Sequence, residues 1–296
     1  GTVVFTILCL TTPIISMVEG WTPKNAPAQI ANLHTMFNVV TTLLLLPFGT
    51  WLGKLATLIL KEPKGEEEKE GMHVQYLLDV KHINSEKHGI SVVCMESIKK
   101  ELVRMMNMAM ENVRDAFDAV ALGDKEKSKD VEEREAYIDY LNREISKYIT
   151  SVLPFETSKA GSQVFNALFT ITSNIERISD HSVNIAEYSQ IIDEKGISFS
   201  GHAYGELDQM QQICANILVS LLTKPADYVS WHEKIACMEQ KMDDMTIQYR
   251  DNMYQRIHTG DCSDDGSILF SEMLTDFERI GDHALNIANE MLKIYH

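Results

Sequence analysis

Four pairs of carboxylates recur at one spacing. Glu135 and Asp139, Glu176 and Asp180, Glu239 and Asp243, and Glu278 and Asp282 each stand four residues apart, so on a helix both members of a pair project from one face, one turn apart. Like charges at this spacing destabilise a bare helix by roughly a few tenths of a kcal/mol, so their repetition asks for a compensating partner. Two acids from one helix and two from its neighbour would offer oxygen donors only, the ligand type of hard multivalent cations. A solvated acidic face is the competing reading, and Glu111 with Asp115 shows the same spacing outside the repeated set.

Histidines and arginines flank the pairs. His181 and His283 directly follow Asp180 and Asp282. At 100° per residue they lie about 140° from the preceding Glu, toward the flank of the apolar stripe, which reads as packed or supporting histidines. Arg177 and Arg279 adjoin the acidic strip as ion-pair partners. A di-metal carboxylate oxidase would need inward Glu-x-x-His pairs, but Ser179 and Gly281 stand three residues after Glu176 and Glu278. There is no nucleophile elbow, P-loop or His-Asp-Ser grouping, so no catalytic residue is assigned and no enzyme is expected. Cys9, Cys94, Cys214, Cys237 and Cys262 are odd in number and lack a CxxC pair, which fits a reducing compartment better than a disulfide framework.

The elements that must position the acids follow from breakers and periodicity. Gly123-Asp124, Ser151 to Ser158, Gly196 to Gly201, Lys224 to Asp227 and Gly260 to Gly266 cut the second part of the chain into six helical stretches. These are predicted over 90–122, 125–150, 158–193, 202–223, 227–258 and 264–294. The segment Asn174 to Glu187 overlays Asp276 to Asn289 at an offset of 102 with eight of fourteen positions identical, an internal duplication. The third helix of each copy carries matched stripes, Ile171, Ile175, Ile178, Ser182, Ile185 and Ser189 against Met273, Phe277, Ile280, Ala284, Ile287 and Met291. Their rhythm of about 3.5 residues implies antiparallel bundle packing. Glu176, Asp180 and Asn184 lie about 180° from the centre of that stripe, so the acids are expected to face away from the core. The fold class is therefore all-α, with two three-helix bundles in tandem, 90–195 and 200–296.

The first part of the chain has a different charge balance. The whole sequence of 296 residues carries a net charge of −16, which disfavours phosphate backbones and excludes nucleic acid as a first reading. Residues 1–65 hold only four Lys and two Glu, leaving 23 of the 27 basic and 41 of the 43 acidic residues for the remainder. Val3 to Val18 and Asn25 to Gly53 are uncharged; as a helix, Leu33 to Gly53 would rise roughly 30 Å, about one hydrocarbon thickness. Residues 1–60 are thus expected to form a transmembrane helical hairpin, with His34 and Asn38 on one helix face as candidates for a transport segment or for interhelical hydrogen bonds. Lys54, Lys61 and Lys64 place the following chain in the cytoplasm by the positive-inside bias. Residues 61–89, with the run Glu66-Glu67-Glu68-Lys69-Glu70, read as an acidic linker and lead-in. Gly1 in place of Met suggests the C-terminal part of a longer protein.

Two resemblances add to this reading. The duplicated E-R-I-[SG]-D-H-x-x-N-I-A at Glu176 to Ala186 and Glu278 to Ala288, with the acidic pairs of the preceding helices, resembles the PhoU family of phosphate-signalling proteins over residues 90–296. That likeness implies tandem three-helix bundles with multinuclear metal clusters, often iron. It would make Glu135, Asp139, Glu176, Asp180, Glu239, Asp243, Glu278 and Asp282 the ligands. His34-Thr35-Met36-Phe37-Asn38 and the apolar run to Pro47-Phe48 are similar to the end of the second membrane repeat of bacterial sodium/phosphate cotransporters, which carry a PhoU-like domain at their C-terminus.

The leading expectation is the C-terminal portion of a sodium-dependent phosphate transporter in the inner membrane, multi-pass, with a cytoplasmic metal-binding regulatory domain. Inorganic phosphate, sodium as coupling ion, and the membrane would be its partners, and homo-oligomerisation is left open. The alternative is a membrane-tethered PhoU-like signalling adaptor without transport activity.

Overall fold

Local chemistry starts and stops the helices where the breakers stand. Asp124, Ser158, Ser200 and Asp227 each accept hydrogen bonds from backbone N–H groups two or three residues on, the N-cap arrangement that satisfies donors left over at a helix start. Gly196 and Gly260 end their helices in the left-handed conformation, with φ of 62° and 78°, which glycine adopts without a Cβ penalty. The computed structural model describes residues 20, 21, 23, 25–45, 72–78, 90–260 and 262–295. Its helices among these residues are α1 (Ala26–Leu45), α2 (Ile90–Leu122), α3 (Lys125–Val152), α4 (Lys159–Lys195), α5 (Gly201–Leu222), α6 (Tyr228–Thr259) and α7 (Asp264–Tyr295), with a 3-10 turn at Leu153–Phe155. No strand occurs among the described residues.

The chain divides into two compact units, Gly1–Gly71 and Met72–His296. In the second, α2, α3 and α4 pack on one another as one bundle, and α5, α6 and α7 as the next, while α4 meets α7 and α2 meets α5 across the join. Both predicted stripes point inward: Ile175, Ile178 and Ile185 on α4 and Phe277, Ile280 and Ile287 on α7 are buried in one continuous apolar core. Residues 72–78, without regular structure, lie along the first bundle. Backbone N–H groups of Gln75 and Tyr76 donate to the fully buried Glu101 at 3.0 and 2.7 Å, and Val74 and Leu77 rest on the core.

The expected membrane placement is corrected by the first unit. Among the described residues no helix is long and apolar enough to cross a membrane. That removes the support for the transmembrane hairpin and for the inner-membrane, multi-pass location with cytoplasmic residues from 61 onward. The physical reason is that an uncharged helix need not be an apolar one: α1 carries Gln29, Asn32, His34, Thr35 and Asn38 along its length. His34 and Asn38 are exposed one turn apart, with 3.4 Å between the Asn38 amide nitrogen and His34 Nε2. The run Val3 to Val18, the apolar stretch beyond Leu45, and 61–71 and 79–89 of the linker lie outside the described residues.

Candidate metal centre

The acidic pairs sit where α3 faces α4 and where α6 faces α7, half-buried at the seam of each helix pair. In the first bundle burial raises the Glu176 carboxyl above its ordinary range, with further push from Asp180 on its own helix and Asp139 on α3. Asp180 is raised by burial too, and Asp139 adds to it against the pull of Arg177 and His181. In the second bundle burial again leads. Glu239 is raised by burial, Asp243 and Asp282, and shares a hydrogen bond with the Asp282 carboxylate, while Asp243 is raised by burial and Asp282. The structure therefore brings Asp139, Glu176 and Asp180 together, and likewise Glu239, Asp243, Glu278 and Asp282. Glu135 stands one turn before Asp139 on α3, half-buried.

Arginines occupy part of this ground. Arg143 holds Asp139 at 2.9 Å, and Arg177 lies 3.8 Å from Glu176 and 3.7 Å from Asp180. In the second bundle Arg279 pairs with Asp282 at 3.1 Å and Arg250 lies 3.8 Å from Glu278. Among the described residues no group of three or more His, Cys, Asp or Glu side chains is already arranged to hold a metal ion. The donor chemistry nevertheless fits a hard cation, best in the second bundle. Asp243 Oδ1 is buried without a hydrogen-bond partner, and a buried carboxylate oxygen left so is costly. Gly281 lets α7 approach α6 at this level, since a Cβ there would stand 2.8 Å from Met242 Sδ.

The two motif histidines are placed on each other. His181 and His283 stack across α4 and α7 with ring centroids 5.5 Å apart. His181 Nδ1 bonds Asp276 Oδ1 at 2.8 Å, and His283 Nδ1 bonds Asn174 Oδ1 at 2.9 Å. Asn174 and Asp276 open the two copies of the repeated segment, so each copy supplies the acceptor for the other's histidine. Asp276, buried, also accepts from Asn184 at 3.2 Å and from the Tyr188 hydroxyl at 2.8 Å. Sequence reasoning placed the histidines at the flank of the stripe but missed Asp276, Asn174 and Tyr188; the matched position of the first two in the repeat was the available signal.

Burial, reinforced by the stacked His181 and opposed by Asp282, lowers His283 from 6.5 to about 4. Between these values the unfolded chain takes up a proton that the fold refuses, so stability drops as pH falls from 6.5 toward 4. In chelator-treated protein, His283→Gln is expected to lose less stability than the parent over that window, measured by urea unfolding at stepped pH. Equal slopes for the two proteins would show that His283 does not set the acid limb.

Two three-helix bundles in tandem, with an acidic seam in each, define an all-helical architecture among the described residues. Residues 102–189 and 208–291 match the PhoU domain, and the chain belongs to the PhoU domain family. It is 24% identical over 202 residues to phosphate-specific transport system accessory protein PhoU homolog 1 of Thermotoga maritima, covering 67% of this chain and 85% of that one. It is also 24% identical over 275 residues to the uncharacterized protein MJ1641 of Methanocaldococcus jannaschii, covering 84% and 90%. Among solved structures, PhoU from Pseudomonas aeruginosa superposes with a TM-score of 0.63 at 19% identity, over 67% of this chain and 95% of that one. The phosphate transport system regulatory protein PhoU from Streptococcus pneumoniae gives 0.60 at 16%, over 69% and 96%.

Proposed function

We propose that this chain is a PhoU-type accessory protein that regulates phosphate transport by binding rather than by catalysis, with multivalent cations at its acidic seams. The observation that carries the cation is the repeated set of half-buried carboxylates, of which Glu176, Asp180, Glu239 and Asp243 are raised by burial and then by neighbouring acids, with Asp243 Oδ1 left unsatisfied. Glu239, Asp243, Glu278 and Asp282 would hold the ion in the second bundle, and Glu135, Asp139, Glu176 and Asp180 in the first once Arg143 and Arg177 swing aside. Iron is the ion that the family likeness suggests. A bound cation supplies positive charge that inverts the local field, so in a chain of net charge −16 metal comes before any phosphate. Regulation then needs only a ligand that favours one docked arrangement: a tenfold preference shifts that balance by about 1.4 kcal/mol.

Elemental analysis of purified protein, set beside an Asp180→Asn and Asp282→Asn double variant, tests the cation. Metal in the parent and a several-fold loss in the variant is expected, and equal content would return the pairs to a solvated face. Deleting residues 72–296 should leave phosphate uptake by host cells in place but alter its response to phosphate supply; an unchanged response would assign the bundles to another process. The narrower reading, a part of a sodium-dependent phosphate transporter, has the likeness of His34 to Phe48 in its favour. It predicts uptake that requires sodium and is lost with the gene.

A further inference from the structure

We propose that the groove between α5 and α6 is a docking site for an extended segment of a partner polypeptide, the open counterpart of the place that residues 72–78 take in the first bundle. There, Glu101 Oε2 accepts two consecutive backbone N–H groups, from Gln75 and Tyr76. Arg104 and the Tyr137 hydroxyl donate to the His73 carbonyl at 2.9 and 3.0 Å. The duplication shows what stands at the same places in the second bundle. First helices align at an offset of 105, Glu101-Leu102 on Glu206-Leu207 and Met105 on Met210, with both Leu and both Met buried. Second helices align at 104, as their acidic pairs do. Glu101, Arg104 and Tyr137 therefore correspond to Glu206, Gln209 and Lys241, and all three line a groove of about 840 Å³ between α5 and α6.

The groove suits an extended chain in length and chemistry. Its lining runs along α5 from Gly201 to Asn216, about 22 Å of helix, against about 23 to 25 Å for seven extended residues. Ile213, Met238 and Met245 give it an apolar floor, and methionine adapts to varied side chains. Glu206 takes Asn252 and Arg256 on Oε1 at 2.8 and 3.1 Å but only Arg256, at 2.8 Å, on Oε2. With about four acceptor sites on a carboxylate, Oε2 has room for a backbone N–H. Lys241, exposed, stands where Tyr137 meets a carbonyl. The fitting ligand thus brings a backbone N–H for Glu206, a carbonyl for Lys241, and apolar residues three apart, as Val74 and Leu77 are. A partner supplies it rather than a second copy, because a copy would have to withdraw its own 72–78 from Glu101, Arg104 and Tyr137.

The test uses the full chain and a fluorescent heptapeptide with the sequence of residues 72–78, carrying a photoreactive benzophenone at the Leu77 position. Saturable binding is expected, with crosslinks on α5 and α6. Gln248→Trp, which fills the groove from an exposed position, should weaken binding at least tenfold while unfolding as the parent does; Glu206→Gln should weaken it too. Crosslinks confined to α2 and α3, absence of saturation up to millimolar peptide, or indifference to Gln248→Trp would each overturn the proposal. So would a dimer in sedimentation that Gln248→Trp abolishes, since the groove would then belong to a second copy.

Discussion

Asp276→Ala is expected to lower the unfolding free energy by about 3 to 5 kcal/mol, and the transition temperature by about 10 °C for a unit of this size. The buried carboxylate joins the bundles by accepting from His181, Asn184 and Tyr188, all on α4. Truncation leaves the half-buried His181 and Tyr188 without their acceptor, while exposed Asn184 can turn to water; each donor that water cannot reach costs about 1 to 3 kcal/mol. Burial first, then Asp276, pushes the Tyr188 hydroxyl far up, so tyrosinate does not relieve the loss. Asp276→Asn keeps an amide oxygen for one donor and should cost about half as much. Urea unfolding followed by circular dichroism measures both, and the alanine variant should also broaden the transition as the bundles uncouple. A loss below about 1 kcal/mol for Asp276→Ala would mean that apolar contact between α4 and α7 joins the bundles alone.

How much of this was legible in the sequence depended on whether the deciding interaction was local. Asp124 and Asp227 announce helix starts, and Gly196 and Gly260 announce ends, because capping is settled within a few residues. The stripes on α4 and α7 were legible because burial of a helix face leaves a period in the chain. The acidic pairs could be put at like places in two copies, with Arg177 and Arg279 beside them, but not their half-burial at the seams or the reach of Arg250 on α6 to Glu278 on α7. The link from His181 to Asp276 spans 95 residues, and nothing near either residue announces the other. Glu101 was hidden in part for the same reason: Arg104 pairs with it from one turn on, but its other oxygen accepts from the backbone of residues 75 and 76, within a stretch that reads as linker and lead-in. Over the part of the uncharged run Asn25 to Gly53 that forms α1 the absence of charge was read as apolarity, and the amides of Gln29, Asn32 and Asn38 decide against that.

The second bundle should be stabilised by cations and strained without them, and Asp243→Asn should reverse the order. With chelator present, Glu239, Asp243 and Asp282 repel at a half-buried seam, and Asp243 Oδ1 has no hydrogen-bond donor. Asparagine at 243 removes one charge and can donate to Asp282, so the chelated variant should exceed the chelated parent by about 1 kcal/mol. A saturating cation changes the sign. A ligand at a hundred times its dissociation constant that binds only the folded chain adds about 2.7 kcal/mol, most of which the variant should lack. Because burial and repulsion by neighbouring carboxylates raise Glu239 and Asp243, protons compete with the cation for them, and apparent affinity should fall as pH drops through the raised carboxylate range. Thermal unfolding of parent and Asp243→Asn in chelator and in micromolar to millimolar iron or manganese reads the crossing directly. If the parent is the more stable in chelator, or gains nothing from either ion, Asp243 is a structural carboxylate and the seam no cation site.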